Sequence, residues 1–175
     1  MTRPRRHILI LLVVAAFVVL VDQYTKSLVA TRLGVGDSWD VAPWLAPVFR
    51  ITHVTNTGVA FGLFPGGGNF FTIVSAVVIV TILVYYWQLP PELWLMRVVL
   101  ALPLGGAIGN LVDRLRQGFV VDFIDLNFWP LHEWPIFNLA DSSIVAGVTL
   151  LMLLMLWEER RERSERGEQQ VVEGC

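Results

Sequence analysis

Cysteine is almost absent: the single one, Cys175, stands at the last position, so no disulfide can form within the chain, and the ending Val-Glu-Gly-Cys is not a prenylation box. Histidine is scarce as well. His7, His53 and His132 are far apart and match no metal-ligand spacing such as His-Glu-x-x-His, so no metal is expected. Charge is thin, at 16% of 175 residues, and the basic residues cluster only at the termini, which removes the footprint of a nucleic-acid-binding protein. There is no internal repeat, and no motif asks for a cofactor. Low complexity is confined to the charged stretch from Glu158 to Glu168.

What the chain has in excess is apolar sequence. With 55% hydrophobic residues and a mean hydropathy of +0.61, it is too apolar for one soluble core of its size, and the apolar residues come in long blocks. Four blocks approach the roughly 20 residues a helix needs to cross a hydrocarbon core: Ile8 to Val29, Phe70 to Trp87, Leu93 to about Val112, and Ile136 to Trp157. Arg3, Arg5 and Arg6 ahead of the first block resemble the start of a secretory signal. No small-x-small cleavage site follows, and Asp22-Gln-Tyr-Thr-Lys26 continues the helix, so an uncleaved first span is expected.

Basic residues favour the cytoplasmic side of a membrane. With both termini inside, eight (Arg3, Arg5, Arg6, Arg97, Arg160, Arg161, Arg163 and Arg166) lie within and five (Lys26, Arg32, Arg50, Arg114 and Arg116) outside. Trp87, Trp94 and Trp157 then mark the inner interface and Trp39, Trp44, Trp129 and Trp134 the outer one. Between the first two spans, Val48-Phe-Arg-Ile-Thr-His-Val-Thr55 is rich in β-branched residues and runs into Asn56-Thr-Gly58, which predicts a strand followed by a turn. The expected architecture is an all-α membrane protein. Four transmembrane helices (residues 1–157) carry a small extracytoplasmic β-sheet and a loop or helical segment on the same side. Residues 158–175 form a charged cytoplasmic tail, a solvated helical extension or a frayed end. Leu115 to Pro135 is read as a second outer loop lying in the interface, and Gln88 to Glu92 as a tight inner turn.

Within this apolar background the polar residues stand out. Asn138, Asp141 and Ser142 share one face of the fourth span at i, i+3 and i+4, and Asn110, Asp113 and Arg114 repeat that spacing near the outer end of the third. From a helix start at Ile136, Asp141 would sit about 8 Å deep. An acid at the edge of a bilayer costs several kcal/mol unless neutralised or paired, so it is functional by default. Asp122, 19 residues upstream in the second outer loop, is a possible partner, and two such acids suggest shared-proton chemistry.

Each residue also has a plainer explanation. Asp22 and Lys26 fit an i, i+4 pair, Asn56 a turn, Arg114 a headgroup anchor, and Asn138 a helix cap with Asp141 favouring the helix dipole. Gly105-x-x-x-Gly109 reads as a packing surface. Asp125 competes with Asp122, and spacing does not separate them. A proton-coupled transporter would use similar residues, although near the midplane and between repeats; a scaffold would use none of them. Ser142 and Ser143 lack the Gly-x-Ser-Gly setting and the histidine of a serine protease.

In order along the chain, Asp22-Gln-Tyr-Thr-Lys26, Asn56-Thr-Gly-Val-Ala-Phe61, Gly105-Gly-Ala-Ile-Gly-Asn-Leu-Val-Asp-Arg114, Val121-Asp-Phe123 and Phe137-Asn-Leu-Ala-Asp141 resemble the motifs of the bacterial lipoprotein signal peptidases, or signal peptidase II. The resemblance spans about Ile8 to Trp157. It implies an intramembrane aspartic endopeptidase of the bacterial inner membrane, cutting diacylglyceryl-modified prolipoproteins on the N-terminal side of the lipidated cysteine. It further implies Asp122 and Asp141 as the catalytic pair, with Asn56, Asn110, Arg114 and Asn138 binding substrate and Asp22 and Lys26 supporting from the first helix. The Phe after Asp122 selects that acid over Asp125. Val59 stands where the family often has a smaller residue. The implied partners are the lipidated precursor and the bilayer, and a monomer is expected.

Overall fold

The computed structural model describes residues 3–58, 68–131 and 134–173, with side chains from His7 onward up to Arg161 and at Arg163. Val59 and His132, and Cys175 at the chain's end, lie outside the described residues. The order is α1 (Arg3–Arg32), β1 (Ser38–Trp39), β2 (Phe49–Asn56), α2 (Gly68–Gln88), α3 (Trp94–Val99), α4 (Ala101–Gln117), β3 (Val120–Leu126) and α5 (Leu139–Glu173). Among the described residues, four stretches are long and apolar enough to cross a membrane: His7–Arg32, Asn69–Gln88, Trp94–Gln117 and Leu139–Arg161.

These spans differ in what surrounds them. The third is 61% buried within the protein, against 6–17% for the other three, so α4 is the central post on which α1, α2 and α5 lean. The outer helices present large apolar side chains, such as Phe17 and Leu20 on α1 and Ile73 and Val80 on α2, to the surroundings. That surface is stable only against lipid. The chain is a multi-pass membrane protein.

Helix ends follow from local chemistry. Pro90 and Pro91 stop α2. Pro103 lacks the N–H that would bond the Val99 carbonyl, so the third span breaks into α3 and α4 around Leu100. Gly118, at φ +80°, ends α4 with its N–H 3.0 Å from the Arg114 carbonyl. Small residues allow α4 its neighbours. A Cβ at Gly105 would lie 2.7 Å from Val18 Cβ, one at Gly109 would lie 2.6 Å from Asp22 Oδ2, and one at Gly106 would overlap the Ala140 carbonyl. The i, i+4 glycines therefore face α1 and the one between them faces α5, as expected of a packing surface.

The sheet lies at one end of the bundle, in the order β1-β2-β3, all antiparallel. β2 matches the predicted strand. β3 does not match the expectation of a loop from Leu115 to Pro135: α4 continues to Gln117, and Val120–Leu126 pairs with β2. One extra residue in β2 between Ile51 and Val54 interrupts the register, which then runs Val54 to Asp122, Thr55 to Val121 and Asn56 to Val120. Val121 and Phe123 pack with Val29, Leu33 and Leu139, seating the sheet on the ends of α1 and α5. The fourth span also starts three residues later than expected, at Leu139, so Asp141 stands in the first turn, only about 3 Å along the axis. α5 runs through Trp157 without a break to Glu173.

Candidate active site

β3 is pinned at both ends, and this pinning creates the site. The Asp113 carboxylate of α4 accepts the Val121 N–H at 3.3 Å. On the other side Phe137, just ahead of α5, accepts the Phe123 and Ile124 N–H groups at 2.9 and 2.7 Å and donates to the Ile124 carbonyl. Asp122 is thereby delivered beside the first turn of α5. Asp125, three residues on, faces the other side of the strand, where it accepts from Thr52 at 2.8 Å and lies 3.9 Å from Arg50. The geometry separates the two acids that spacing left open.

The N-terminus of α5 is closed by a reciprocal cap. Asn138 Oδ1 accepts the Asp141 N–H at 2.9 Å, and Asp141 Oδ2 accepts the Asn138 N–H at 3.3 Å. Asp22 of α1 takes the Ala140 N–H at 2.9 Å. The plain cap explanation is met, and the cap occupies only one end of the Asn138 amide. Its Nδ2 donates to Asp122 Oδ1 at 2.6 Å and to Asn110 Oδ1 at 3.2 Å. One asparagine, fully buried, thus ties the two aspartates together.

The remaining bonds brace this pair. Asn56 Nδ2 donates to Asp122 Oδ2 at 2.9 Å while its Oδ1 accepts the Gly58 N–H, so the turn residue also serves the site. Asn110 Nδ2 donates to Asp141 Oδ1 at 2.7 Å. Behind Asn110, Lys26 Nζ lies 2.9 Å from each of Asn110 Oδ1, Asp22 Oδ2 and Asp113 Oδ2. Arg114 is half-buried against α2, its Nη1 3.3 Å from Ser75 Oγ and its guanidinium 6.0 Å from the Phe71 ring centroid. All eight sequence-derived residues therefore sit in one region, seven of them in one bonded network and Arg114 at its flank.

Two members of the network are additions. Gln23 donates to Asp113 Oδ1 at 2.8 Å and to the Gly109 carbonyl at 3.2 Å. Asp113 shares Lys26 with Asp22, which turns the expected i, i+4 pair into a link between helices. The available signal was the cost of an unpaired polar group in an apolar span, which demands a partner from another helix. Among the described residues, no group of three or more His, Cys, Asp or Glu is placed to hold a metal ion.

Asp122 is 2% exposed. Burial first, and then the nearby Asp141 charge, push its carboxyl up from 3.8 to about 7, against the lowering effect of its Asn56 and Asn138 hydrogen bonds and of the Lys26 charge. Near neutral pH the pair can hold one proton between two carboxyl groups, which is the equipment needed to activate water and polarise a carbonyl together.

Spans, sheet and paired acids define a multi-pass membrane protein of the aspartic peptidase class. A family model described as "Signal peptidase (SPase) II" matches residues 14–157, and the chain belongs to that family. It is 45% identical over 143 residues to the lipoprotein signal peptidase of Desulfitobacterium hafniense (strain DSM 10664 / DCB-2), covering 82% of this chain and 90% of the relative. It is 44% identical to that of Moorella thermoacetica (strain ATCC 39073 / JCM 9320), covering 86% and 97%. A solved bacterial membrane enzyme, determined by the in meso method at 2.3 Å, superposes with a TM-score of 0.73 at 38% identity, over 86% of this chain and 88% of that one.

Proposed function

We propose that Asp122 and Asp141 are the catalytic pair, and that this peptidase cuts diacylglyceryl-modified prolipoproteins on the N-terminal side of the lipidated cysteine. The observation that carries the assignment is the single buried Asn138 bonded to both acids at the sheet end of the bundle. With one proton on the pair, the ionised carboxyl takes a proton from a water molecule as its oxygen attacks the scissile carbonyl. The protonated carboxyl hydrogen-bonds the developing oxyanion, and collapse of the tetrahedral species delivers a proton to the leaving amine.

Asn56, Asn110 and Asn138 hold the carboxyl groups in register and line the place where substrate main chain arrives. Arg114 has five guanidinium N–H donors, suited to main-chain or ester carbonyls near the lipidated residue. A site at the rim admits water and headgroups while the signal peptide's apolar helix and the acyl chains stay in lipid. Lipidated and unlipidated versions of one precursor test the substrate class. Cleavage confined to the lipidated form is expected, and equal cleavage of both would refute it.

The distribution of Lys and Arg further supports a site facing away from the cytoplasm, with both termini and the charged tail from residue 158 inside. Cys175 provides the test, because it is the sole cysteine. A membrane-impermeant maleimide should label it only after the cells are opened; labelling of intact cells would reverse the orientation.

A further inference from the structure

Lys26 is 3% exposed, and its three N–H donors are matched by Asp22, Asp113 and Asn110, each at 2.9 Å. Two carboxylates already exceed the charge of one ammonium. The third, neutral acceptor is therefore not required to balance charge, and it is the one that leads to the catalytic pair. We propose that Lys26 is a positioning residue for Asp141, acting through the orientation of the Asn110 amide. This rests on the assignment of Asp122 and Asp141 above.

An ammonium only donates, whereas a primary amide has an accepting end and a donating end that differ little in shape. Facing Lys26, Asn110 can present only its oxygen, so its NH2 group turns toward Asp141, where it donates at 2.7 Å. Reversing the amide would set NH2 against NH3⁺ and carbonyl against carboxylate, losing three bonds, the one from Asn138 included, and adding two repulsions. The other donor to Asn110 Oδ1, the Asn138 amide, is neutral, more distant at 3.2 Å, and shared with Asp122. The charged contact from Lys26 is the stronger selector. Asp141 is thus oriented on one oxygen by Asn110 and on the other by the Asn138 N–H, and only the second is secured by α5 itself.

The test is a double-mutant cycle on the purified full-length protein with a lipidated precursor peptide: Lys26→Met, Asn110→Ala and both together. Lys26→Met alone should lower kcat by at least about tenfold and change KM by less than about twofold, because no ground-state substrate contact is removed. In the Asn110→Ala background the same change should alter kcat by less than about twofold, since the relay is already broken. Because Lys26→Met leaves Asp22 and Asp113 without their cation, the cycle is repeated with Asp22→Asn and Asp113→Asn in every member. A rise in KM at constant kcat, a Lys26 effect undiminished in the Asn110→Ala background, or failure of both series to fold would overturn the proposal and leave Lys26 as a support for helix assembly. Asp141→Asn is assayed beside them. Full activity there would remove the catalytic assignment itself, whereas an inactive Asp141→Asn with an additive cycle removes only the role given to Lys26.

Discussion

Both ends of this bundle bury a cation, and they satisfy it in opposite ways. At the sheet end Lys26 lies among two carboxylates and an amide from α1 and α4, with further polar groups beyond it. At the other end Arg97, 6% exposed, donates through Nη2 to the Leu89 carbonyl just past α2 and lies 5.1 Å from the Tyr86 ring centroid. The two residues it touches, Tyr86 and Leu89, belong to one core cluster with Met96, Leu100, Leu11 and Ala15. Arg97 closes a helix end, where the carbonyls favour a cation. Lys26 is bonded to titratable groups and, through Asn110, leads on to Asp141. Burial of a charge in a membrane protein is thus not by itself a mark of function; what distinguishes the two ends is whether the partners are titratable and whether they connect to further polar groups.

The comparison can be broken most severely at the carboxylates. Asp122→Asn and Asp141→Asn, assayed separately on lipidated precursor, should each lower kcat by at least about 10³-fold with the protein still folded, since shape is kept and the acid is lost. Wild-type rate in either would dissolve the functional difference between the ends.

Titration comes next. With the Asp122 carboxyl held at about 7 instead of 3.8, kcat should fall as pH rises through about 7, where the pair loses its shared proton. The same shift acts on stability: the folded protein holds this proton to higher pH than the unfolded chain does. The stabilisation is complete below 3.8 and is lost as pH rises through about 7. Asp122→Asn cannot ionise, so its thermal midpoint should exceed that of the wild type at about pH 9 and match it at about pH 3, below the unfolded value of 3.8. A wild-type advantage at the higher pH would contradict this.

The smallest effect on catalysis is expected at the opposite end. Arg97→Ala removes a helix-end contact and a ring contact, which should cost about 2 kcal/mol of stability, lower the thermal midpoint and leave kcat within about twofold. A tenfold loss of kcat in protein that remains folded would make the two ends functionally alike.

How legible these features are depends on how far each residue's partner lies along the chain. The apolar blocks declare four spans, and β2 shows itself through its β-branched run. β3 is hidden because Val120 to Phe123 are buried on both faces, so no alternation of apolar and polar residues marks a strand. The start of α5 is misjudged because Ile136 and Phe137 are apolar like the helix that follows, although Phe137 pairs with β3 and Asn138 is the cap. Asp122 and Asp141 are recognisable through their motif settings, Val-Asp-Phe and Asn-Leu-Ala-Asp. Asp113 was visible on the polar face of α4, but its value depends on Lys26, which lies on another helix.

Sequence alone determined the membrane environment, the number of spans and the family, because hydrophobic length and local motifs are properties of contiguous residues. Only the tertiary structure decided which of those polar groups bond to one another. Lys26 and Asn110 are 84 positions apart, and Asn56 and Asp122 are 66 apart. They meet because glycines on α4 let α1 and α5 approach, and because one extra residue in β2 and the zipped edge of β3 set the register that carries Asp122 to the cap of α5. In an apolar medium each buried polar group must find a partner inside the protein, so the packing that brings the helices together also assembles the site.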